Sequence, residues 1–226
     1  MVTLADVRQA RERIKGVAIH TPLLPAKFGP ANLYFKCENR QRGGAFKIRG
    51  AYNDLAALAP DVRARGVTAY SSGNHAQAVA LSAKLFGVPA TIVMLNQSVA
   101  EKIAQTKEYG AEIIFGGDSS ETIKARAEEI AAERSMTLIP PFNHPGTIAG
   151  QGTIGLEILE DLPEVETLVV PIGGGGLIAG IATAAKETRA SVRVVGVEPE
   201  GAPTLFASLS APRWAVSEIE RLEVCL

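Results

Sequence analysis

Two patterns of apolar residues alternate along this chain, one with helical spacing and one typical of buried strands. Stretches with apolar residues three or four positions apart predict helices, and short runs rich in Val and Ile predict strands. A capping box formed by Thr3 and Asp6 predicts a first helix from Leu4 to Ile14. The other predicted helices cover residues 47–58, 74–86, 99–109, 119–134, 148–159 and 177–187, and the predicted strands cover residues 33–37, 67–70, 90–95, 113–115, 137–139, 168–172 and 192–197.

The order of these elements predicts the fold class. Strands that alternate with helices are typical of α/β proteins, whose parallel sheets are buried on both faces. A break containing Pro140, Pro141 and Pro145 separates two such series of elements. The second series has only two clear strands, which is few for a complete parallel sheet. We therefore predict a small α/β domain over residues 67–145 and a discontinuous large domain over residues 1–66 plus 146–226, incomplete at its C-terminus.

The composition of the 226 residues narrows the functional classes. A net charge of −1 gives no field to attract nucleic acid or an anionic membrane, and no apolar run approaches the ~18 residues of a membrane span. The two cysteines, Cys37 and Cys225, lie far apart, and the first residues carry no export signal, so we expect a reduced, cytoplasmic compartment. His20, His75 and His144 lack ligand spacing, and we expect no bound zinc.

A lysine stands where a helix should begin, after a glycine-rich bend and an aromatic ring. Lys47 follows Gly43, Gly44 and Phe46. A cation at a helix N-terminus is unfavourable by a few tenths of a kcal/mol up to ~1, and a helix start lowers the pKa of an amine. A lysine needs a lowered pKa to act as a nucleophile or base. The alternative is an ordinary surface lysine, but the glycines and the ring suit close contact with a flat ligand.

A polar loop follows the strand predicted over residues 67–70. It reads Ser71-Ser72-Gly73-Asn74-His75 and leads into a predicted helix. Ser, Asn and Gly all suit an N-cap, which is the simple structural alternative. The loop nevertheless carries more polar groups than a cap requires, and the free amides of a helix start can hold a carboxylate.

Four consecutive glycines, Gly173 to Gly176, follow the strand predicted over residues 168–172. Without side chains, their backbone N–H groups can converge into a nest that suits a phosphate. The run lacks the Gly-Lys-Ser/Thr end of a Walker loop. It matches the dinucleotide-binding pattern poorly, since Glu198 would have to serve as its acidic residue. The alternative is a flexible tight turn.

A single ligand for these three segments needs a phosphate, an aldehyde reactive toward lysine, and a ring, and pyridoxal phosphate has all three. The chain resembles the fold type II pyridoxal-phosphate enzymes, in the branch of serine/threonine dehydratases and serine racemases. The resemblance covers about residues 3–210 and rests on the blocks Gly-Ala-Phe-Lys-Ile-Arg-Gly-Ala around Lys47, Ser-Ser-Gly-Asn-His at 71–75, Ala-Gly-Gln-Gly-Thr at 149–153 and the glycine run at 173–176. It implies a tryptophan synthase β-like fold with two open, twisted parallel-sheet domains, of which the large one binds the cofactor.

The resemblance also implies roles for individual residues. Lys47 corresponds to the family's Schiff-base lysine, which also removes the Cα proton, and Ser72 corresponds to the acid or base on the opposite face in racemases. The implied cofactor-binding residues are Phe46, Lys47, Asn74, Gly173, Gly174, Gly175, Gly176 and Leu177, with Asn74 at the phenolic oxygen. The implied substrate-binding residues are Ser71, Ser72, Gly73, Asn74 and His75. No metal is expected, because Thr204 stands where metal-binding members have an Asp six residues after Glu198.

The implied function is an ammonia-lyase, or dehydratase, that converts L-threonine and/or L-serine to a 2-oxo acid and ammonia, with a homodimer as the family-level expectation. The implied partner is a small β-hydroxy amino acid, with no nucleic acid and no membrane. Two alternatives stay open. Ser72 permits a serine- or aspartate-type amino acid racemase. A truncated, catalytically impaired cofactor-binding protein is the other, because the sequence stops matching the family after Leu209.

Overall fold

The computed structural model describes residues 1–30 and 32–210. They fall into two compact units. The first contains residues 1–12, 23–36 and the described chain from 142 onward, and we call it the glycine-loop unit. The second contains residues 13–22 and 37–141, and we call it the lysine unit. The segment predicted not to match the family after Leu209 lies outside the described residues from residue 211 onward, and Cys225 lies there as well.

The secondary structure follows the predicted alternation. The helices are α1 Leu4–Ile14, α2 Lys47–Ala57, α3 Pro60–Ala64, α4 Asn74–Phe86, α5 Ala100–Glu108, α6 Ser120–Arg134, α7 Pro145–Asp161, α8 Gly176–Thr188 and α9 Thr204–Ser210. The strands are β1 Leu23–Pro25, β2 Tyr34–Lys36, β3 Val67–Tyr70, β4 Ala90–Met94, β5 Glu112–Phe115, β6 Thr137–Leu138, β7 Thr167–Pro171 and β8 Arg193–Val197. Helix α7 begins at Pro145 rather than at residue 148, because proline suits the first turn of a helix.

The lysine unit is built around a parallel sheet with strand order β5-β4-β3-β6. Alternate residues of β4 face opposite sides of this sheet. Ile92 belongs to a core with α2 and α4, whereas Val93 belongs to a separate core with α6. The sheet is therefore covered on both faces, as the Val- and Ile-rich strands predicted.

The glycine-loop unit contains two small sheets. Strands β7 and β8 pair in parallel, with Leu168 opposite Val194, and β1 and β2 pair antiparallel, with Leu24 opposite Phe35. The antiparallel pair was not predicted. The segment that ends at Pro25 was expected only to be extended, because its apolar and polar residues do not alternate. The predicted α/β class with parallel sheets is confirmed.

Helices α7 and α8 meet backbone to backbone within the glycine-loop unit. A Cβ added to Gly180 would lie 2.2 Å from the Ile148 carbonyl oxygen, and one added to Gly152 would lie 2.7 Å from the Gly180 carbonyl oxygen. At these distances only the second Cα hydrogen of glycine fits, and a Cβ would overlap the facing backbone. Both positions therefore require glycine. Val7 of α1 packs with Leu156 of α7 and with α8, so one core joins these three helices.

The compact units differ from the predicted domain boundaries in the first part of the chain. Residues 37–66, predicted in the large domain, group with residues 67–141. The reason is the packing of α2, whose Ile48 and Leu55 share a core with Val79 of α4 and with the sheet. As domain boundaries of the whole protein, residues 66 and 145 stay predictions.

Membrane crossing requires a long apolar helix. Within residues 1–30 and 32–210, none of the helices has the length and apolarity for it.

Candidate active site

Lys47 is the first residue of α2, in the lysine unit. Gly43 and Gly44, with φ of 73° and 74°, form the tight bend that precedes it. The Lys47 Nζ donates a hydrogen bond to the Pro141 carbonyl at 2.5 Å and lies 5.3 Å from the centre of the Phe46 ring. Burial lowers the pKa of the Lys47 amine from 10.5 to about 8. The sequence correctly predicted a lowered pKa, but it attributed the shift to the helix start, whereas burial causes it.

A buried ion pair fixes the chain on both sides of this lysine. Arg49 is fully buried, and its Nε and Nη2 donate to the two carboxylate oxygens of Glu38 at 2.9 and 2.8 Å. The same Nη2 donates to the Ile19 carbonyl at 3.0 Å, and the Thr21 hydroxyl donates to Glu38 at 2.5 Å. Sequence reasoning missed this cluster because Glu38 and Arg49 have no spacing that predicts pairing. It anchors the bend and the first turn of α2 to residues 19–21.

Replacing Arg49 by methionine is expected to destabilise the protein by about 3–5 kcal/mol, because it leaves the Glu38 carboxylate partly buried without its cation. The double variant Arg49→Met/Glu38→Leu should recover much of that loss, since both charges are then gone. Urea unfolding followed by circular dichroism measures both. The matched control is Arg126→Met, which breaks an exposed pair with Glu129 and should cost less than about 1 kcal/mol. Equal losses of stability in Arg49→Met and Arg126→Met would contradict the prediction.

The polar loop Ser71–His75 connects β3 to α4. Gly73 is the N-cap residue of α4, and no side chain caps that helix. The simple alternative therefore holds for Gly73, which is the N-cap residue, whereas Ser71, Ser72 and Asn74 do not cap the helix through their side chains. The Ser71 hydroxyl instead accepts from the Gly73 amide at 3.2 Å, within the loop. The first turn of this 13-residue helix thus keeps its amides free of side-chain caps.

Ser72 and Asn74 contact the segment at the start of α5. The Ser72 Oγ accepts from the Leu95 amide at 2.9 Å and lies 2.7 Å from the Ser98 hydroxyl. The Asn74 Oδ1 accepts from the Lys102 ammonium at 3.1 Å. Ser98 and Lys102 were missed by the sequence analysis, because neither stands in a recognisable motif.

His75 lies beneath the same loop and is 3% exposed. Its Nε2 lies 2.9 Å from the Ile139 carbonyl. Burial, and secondly the positive charge of Lys47, lower the pKa of His75 from 6.5 to about 3, which keeps the imidazole neutral. The lysine unit therefore brings Lys47 and His75 to the same short segment, residues 139–141.

The glycine run lies in the other unit, between β7 and α8. Gly175, with φ of 80°, is the N-cap residue, and no side chain caps α8. A Cβ on Gly174 would lie 2.2 Å from the Phe142 ring, and one on Gly176 would lie 2.6 Å from the Phe142 carbonyl oxygen. Leu177 continues the first turn of the helix. The loop thus has the features of a phosphate nest, with a helix start, a left-handed glycine and no side chains.

Each of the two units, taken by itself, has features that fit pyridoxal phosphate. The lysine unit offers a buried amine that loses its proton near pH 8, as bonding to an aldehyde requires. The glycine-loop unit offers an uncapped helix start for a phosphate. Phe46, Lys47 and Ser71–His75 belong to the first unit, and Gly173–Leu177 belong to the second.

The Glu198 carboxylate stands where some family members bind a metal, but here it accepts hydrogen bonds from the start of α9. It accepts from the amides of Leu205 at 2.7 Å and Phe206 at 2.9 Å and from the Thr204 hydroxyl at 3.0 Å. Those hydrogen bonds lower the pKa of the Glu198 carboxyl. Across the described part of the chain, no three His, Cys, Asp or Glu side chains are grouped as a metal site requires.

Comparisons with known proteins agree with this chemistry. The chain is 46% identical over 217 residues to an L-threonine ammonia-lyase of Thermotoga maritima, covering 94% of this chain and 54% of that protein. It is 46% identical over 210 residues to a serine racemase of Oryza sativa subsp. indica, covering 91% of this chain and 62% of that protein. The chain therefore spans about half to three fifths of these relatives.

The fold agrees as well. The structure of maize serine racemase superposes with a TM-score of 0.88 at 43% identity, covering 92% of this chain and 64% of that one. The predicted fold type II resemblance is thereby confirmed. Residues 14–222 match the family described as pyridoxal-phosphate dependent enzyme, so the prediction that the match ends after Leu209 is wrong. The chain belongs to that family.

Proposed function

We propose that this chain acts as a pyridoxal-phosphate-dependent ammonia-lyase, converting L-threonine and/or L-serine to a 2-oxo acid and ammonia. The observation that carries the proposal is the buried Lys47 amine with a pKa of about 8. The name of the Thermotoga maritima relative, an L-threonine ammonia-lyase, supports the substrate. The reaction removes the Cα proton and the β-hydroxyl as water, and hydrolysis then releases ammonia from the same carbon skeleton.

Lys47 is the proposed base. Pyridoxal phosphate, when bound, supplies an aldehyde that bonds to amines and a conjugated ring that accepts the electron pair left at Cα. Lys47 would hold that aldehyde in the resting protein, and its Nζ would take the Cα proton whenever the amine is free. With a pKa of about 8, about a tenth of the amine is uncharged at pH 7, far more than for an exposed lysine.

The remaining cofactor contacts are the ones that the family resemblance implies, and the chemistry of these residues supports them. Gly173 to Gly176 and Leu177 offer backbone amides to the phosphate, and Phe46 supplies a ring beside the cofactor. By the same resemblance, Asn74 would bind the phenolic oxygen. Because Lys102 already occupies the Asn74 Oδ1, the amide nitrogen of Asn74 is the group left to donate to that oxygen.

The substrate carboxylate is proposed to bind at the loop Ser71–His75. The uncapped first turn of α4 supports this role, because its amides and the helix dipole favour an anion. Gly73 allows a carboxylate to approach the backbone, since a Cβ there would meet nothing within 4 Å. His75 contributes its amide to this turn, while its side chain points to Ile139.

Racemisation is the second candidate, and Ser72 is the observation that favours it. A hydroxyl that supplies a proton to the face of Cα opposite Lys47 would invert the substrate instead of eliminating water. The relatives named serine racemase, from Oryza sativa and maize, support this candidate. In the present conformation the Ser72 Oγ accepts from Leu95 and contacts Ser98, so this role requires the Ser72 side chain to turn.

The test is a product assay on the purified chain supplied with pyridoxal phosphate. We expect 2-oxobutanoate from L-threonine and pyruvate from L-serine, each with equal ammonia, measured by reduction with a 2-oxo acid dehydrogenase. D-Serine in excess of the 2-oxo acid, measured by chiral chromatography, would identify the racemase instead. A visible cofactor band without either product would identify the catalytically impaired alternative.

We also propose a homodimer and a cytoplasmic location. The location is supported by the two cysteines, Cys37 and Cys225, which lie far apart in the sequence and form no metal-binding spacing. The dimer rests on the family resemblance alone, and analytical ultracentrifugation of the chain would test it.

A further inference from the structure

Two predicted site residues hydrogen-bond to the same three-residue segment, Ile139-Pro140-Pro141. The Lys47 Nζ donates to the Pro141 carbonyl at 2.5 Å, and the His75 ring bonds the Ile139 carbonyl at 2.9 Å. Lys47 begins α2 and His75 lies in the first turn of α4, so the segment links two motifs that are distant in sequence.

The segment is stiff and firmly held at its start. The Ile139 amide donates to the Thr68 carbonyl at 2.8 Å, which extends the pairing of β6 with β3, and the Ile139 side chain is 2% exposed. Pro140 and Pro141 have fixed φ and no N–H, and Pro140 also restricts the backbone of Ile139. A displacement of the Ile139 carbonyl is therefore transmitted to the Pro141 carbonyl, because few torsions in between can absorb it.

The His75 ring can bind this carbonyl in only one tautomer. The Ile139 oxygen accepts and cannot donate, so the proton of the neutral imidazole must reside on Nε2. Nδ1 is then an acceptor, and it has no hydrogen-bond partner within the described part of the chain. The pKa of about 3 agrees with a ring that stays neutral beside the Lys47 charge. His75 therefore donates one fixed hydrogen bond without adding a second cation next to the lysine.

We propose that His75 is a positioning residue for Lys47, holding the Ile139–Pro141 segment so that the Pro141 carbonyl fixes the free Lys47 amine in its buried place. The proposal rests on the role proposed above for Lys47. It assigns the His75 side chain a function separate from the amide of His75, which belongs to the carboxylate loop. The Pro141 carbonyl holds the amine whenever that amine is not bonded to the cofactor.

Two amide side chains of different length provide a matched test. In His75→Gln the amide nitrogen reaches the position of Nε2 and can still donate to Ile139. In His75→Asn it reaches only the position of Nδ1, and the Ile139 carbonyl loses its donor. Both variants are polar and neutral, so they differ mainly in this hydrogen bond.

The readout is the protonation of Lys47 in the full chain freed of cofactor. Acetic anhydride labels only the uncharged amine, and mass spectrometry of the Lys47 peptide gives the extent of labelling against pH. Wild type and His75→Gln should share a midpoint near pH 8. His75→Asn should shift it upward by about one unit, because a displaced Pro141 lets water reach the amine and relieves the burial that lowers the pKa. With cofactor and L-threonine, kcat of His75→Asn should fall about tenfold with little change in KM.

Equal labelling profiles for the Gln and Asn variants would overturn the proposal. If His75→Asn does not fold, Pro141→Gly replaces it, since this variant keeps the His75 bond but frees the carbonyl that holds Lys47. Its midpoint should also move upward, and an unchanged midpoint would overturn the proposal equally. Labelling needs no turnover, so this failure is distinct from failure of the proposed function, which appears as a wild-type chain without product.

Discussion

The Lys47→Met variant is expected to lose turnover by at least about 10³-fold and to lose the visible absorbance of lysine-bound cofactor, while its cofactor-free form becomes more stable than wild type. The loss follows because methionine can neither bond to an aldehyde nor take a proton. The gain follows because methionine fills a similar volume without placing a charge in a buried site. Opposite effects on activity and stability are characteristic of a residue retained for chemistry.

The pH dependence of that stability gain has a definite sign. The pKa of the Lys47 amine is about 8 in the folded chain and 10.5 when unfolded, so the unfolded chain binds more protons between these values. The free energy of unfolding of wild type therefore rises with pH from about 8 to 10.5, and the full cost of burying the charge is present below pH 8. The variant lacks this cost. The free energy of unfolding of Lys47→Met should exceed that of wild type by up to about 3 kcal/mol at pH 7, and the difference should decline toward pH 10.5.

Urea unfolding of the cofactor-free chains at pH 7, 9 and 10.5 measures the difference, and absorbance after addition of pyridoxal phosphate measures binding. Lys15→Met, at an exposed lysine of the same unit, is the control and should change neither quantity. A Lys47→Met chain that retained the visible band would show that another amine bonds to the cofactor.

The Gly174→Ala variant is expected to destabilise the chain by about 3 kcal/mol and to weaken cofactor binding at least tenfold. The added methyl would lie 2.2 Å from the Phe142 ring, far inside the ~3.5 Å at which non-bonded carbon atoms pack. Either the ring or the loop must move, and overpacking of this kind typically costs 1–3 kcal/mol. A loop that moves no longer directs its amides at one point, which is what a phosphate nest requires.

Gly173→Ala is the matched control for stability, because a Cβ there meets nothing within 4 Å. The double variant Gly174→Ala/Phe142→Leu should recover much of the lost stability, since the smaller side chain makes room for the methyl. Unfolding in urea and titration with pyridoxal phosphate give the two quantities. Gly174→Ala and Gly173→Ala chains of equal stability would show that the Phe142 contact does not constrain the loop.

Periodicity predicted most of the fold, because local sequence determines which face of each helix and strand is apolar. The spacing of the apolar residues gave α1 at its observed limits, and the helix beginning at Lys47 was predicted to within one residue of its end. The antiparallel pair β1–β2 and the grouping of α2 with α4 were missed, since both depend on contacts between segments that are distant in sequence.

The candidate site was predicted as a set of residues rather than as a geometry. Motif order selected Lys47, the loop Ser71–His75 and the glycine run as candidates, and their roles stay predictions. The partners of these residues could not be found in this way, because Pro141 and Ile139 act through backbone carbonyls, which carry no sequence signal. The burial that lowers the pKa of Lys47 is likewise a product of packing, and so the sequence attributed the shift to the wrong cause.

At the contact of Gly152 with Gly180, the backbones of α7 and α8 touch with no side chain between them. Side chains in ordinary helix contacts can change rotamer and let the helices slide, but two backbones in contact have no such freedom. The first turn of α8 lies only one helical turn from this point, and thus it is ordered before any ligand arrives. Binding of an anion to the amides of this turn should therefore cost the protein little conformational entropy. More of the interaction energy then appears as affinity.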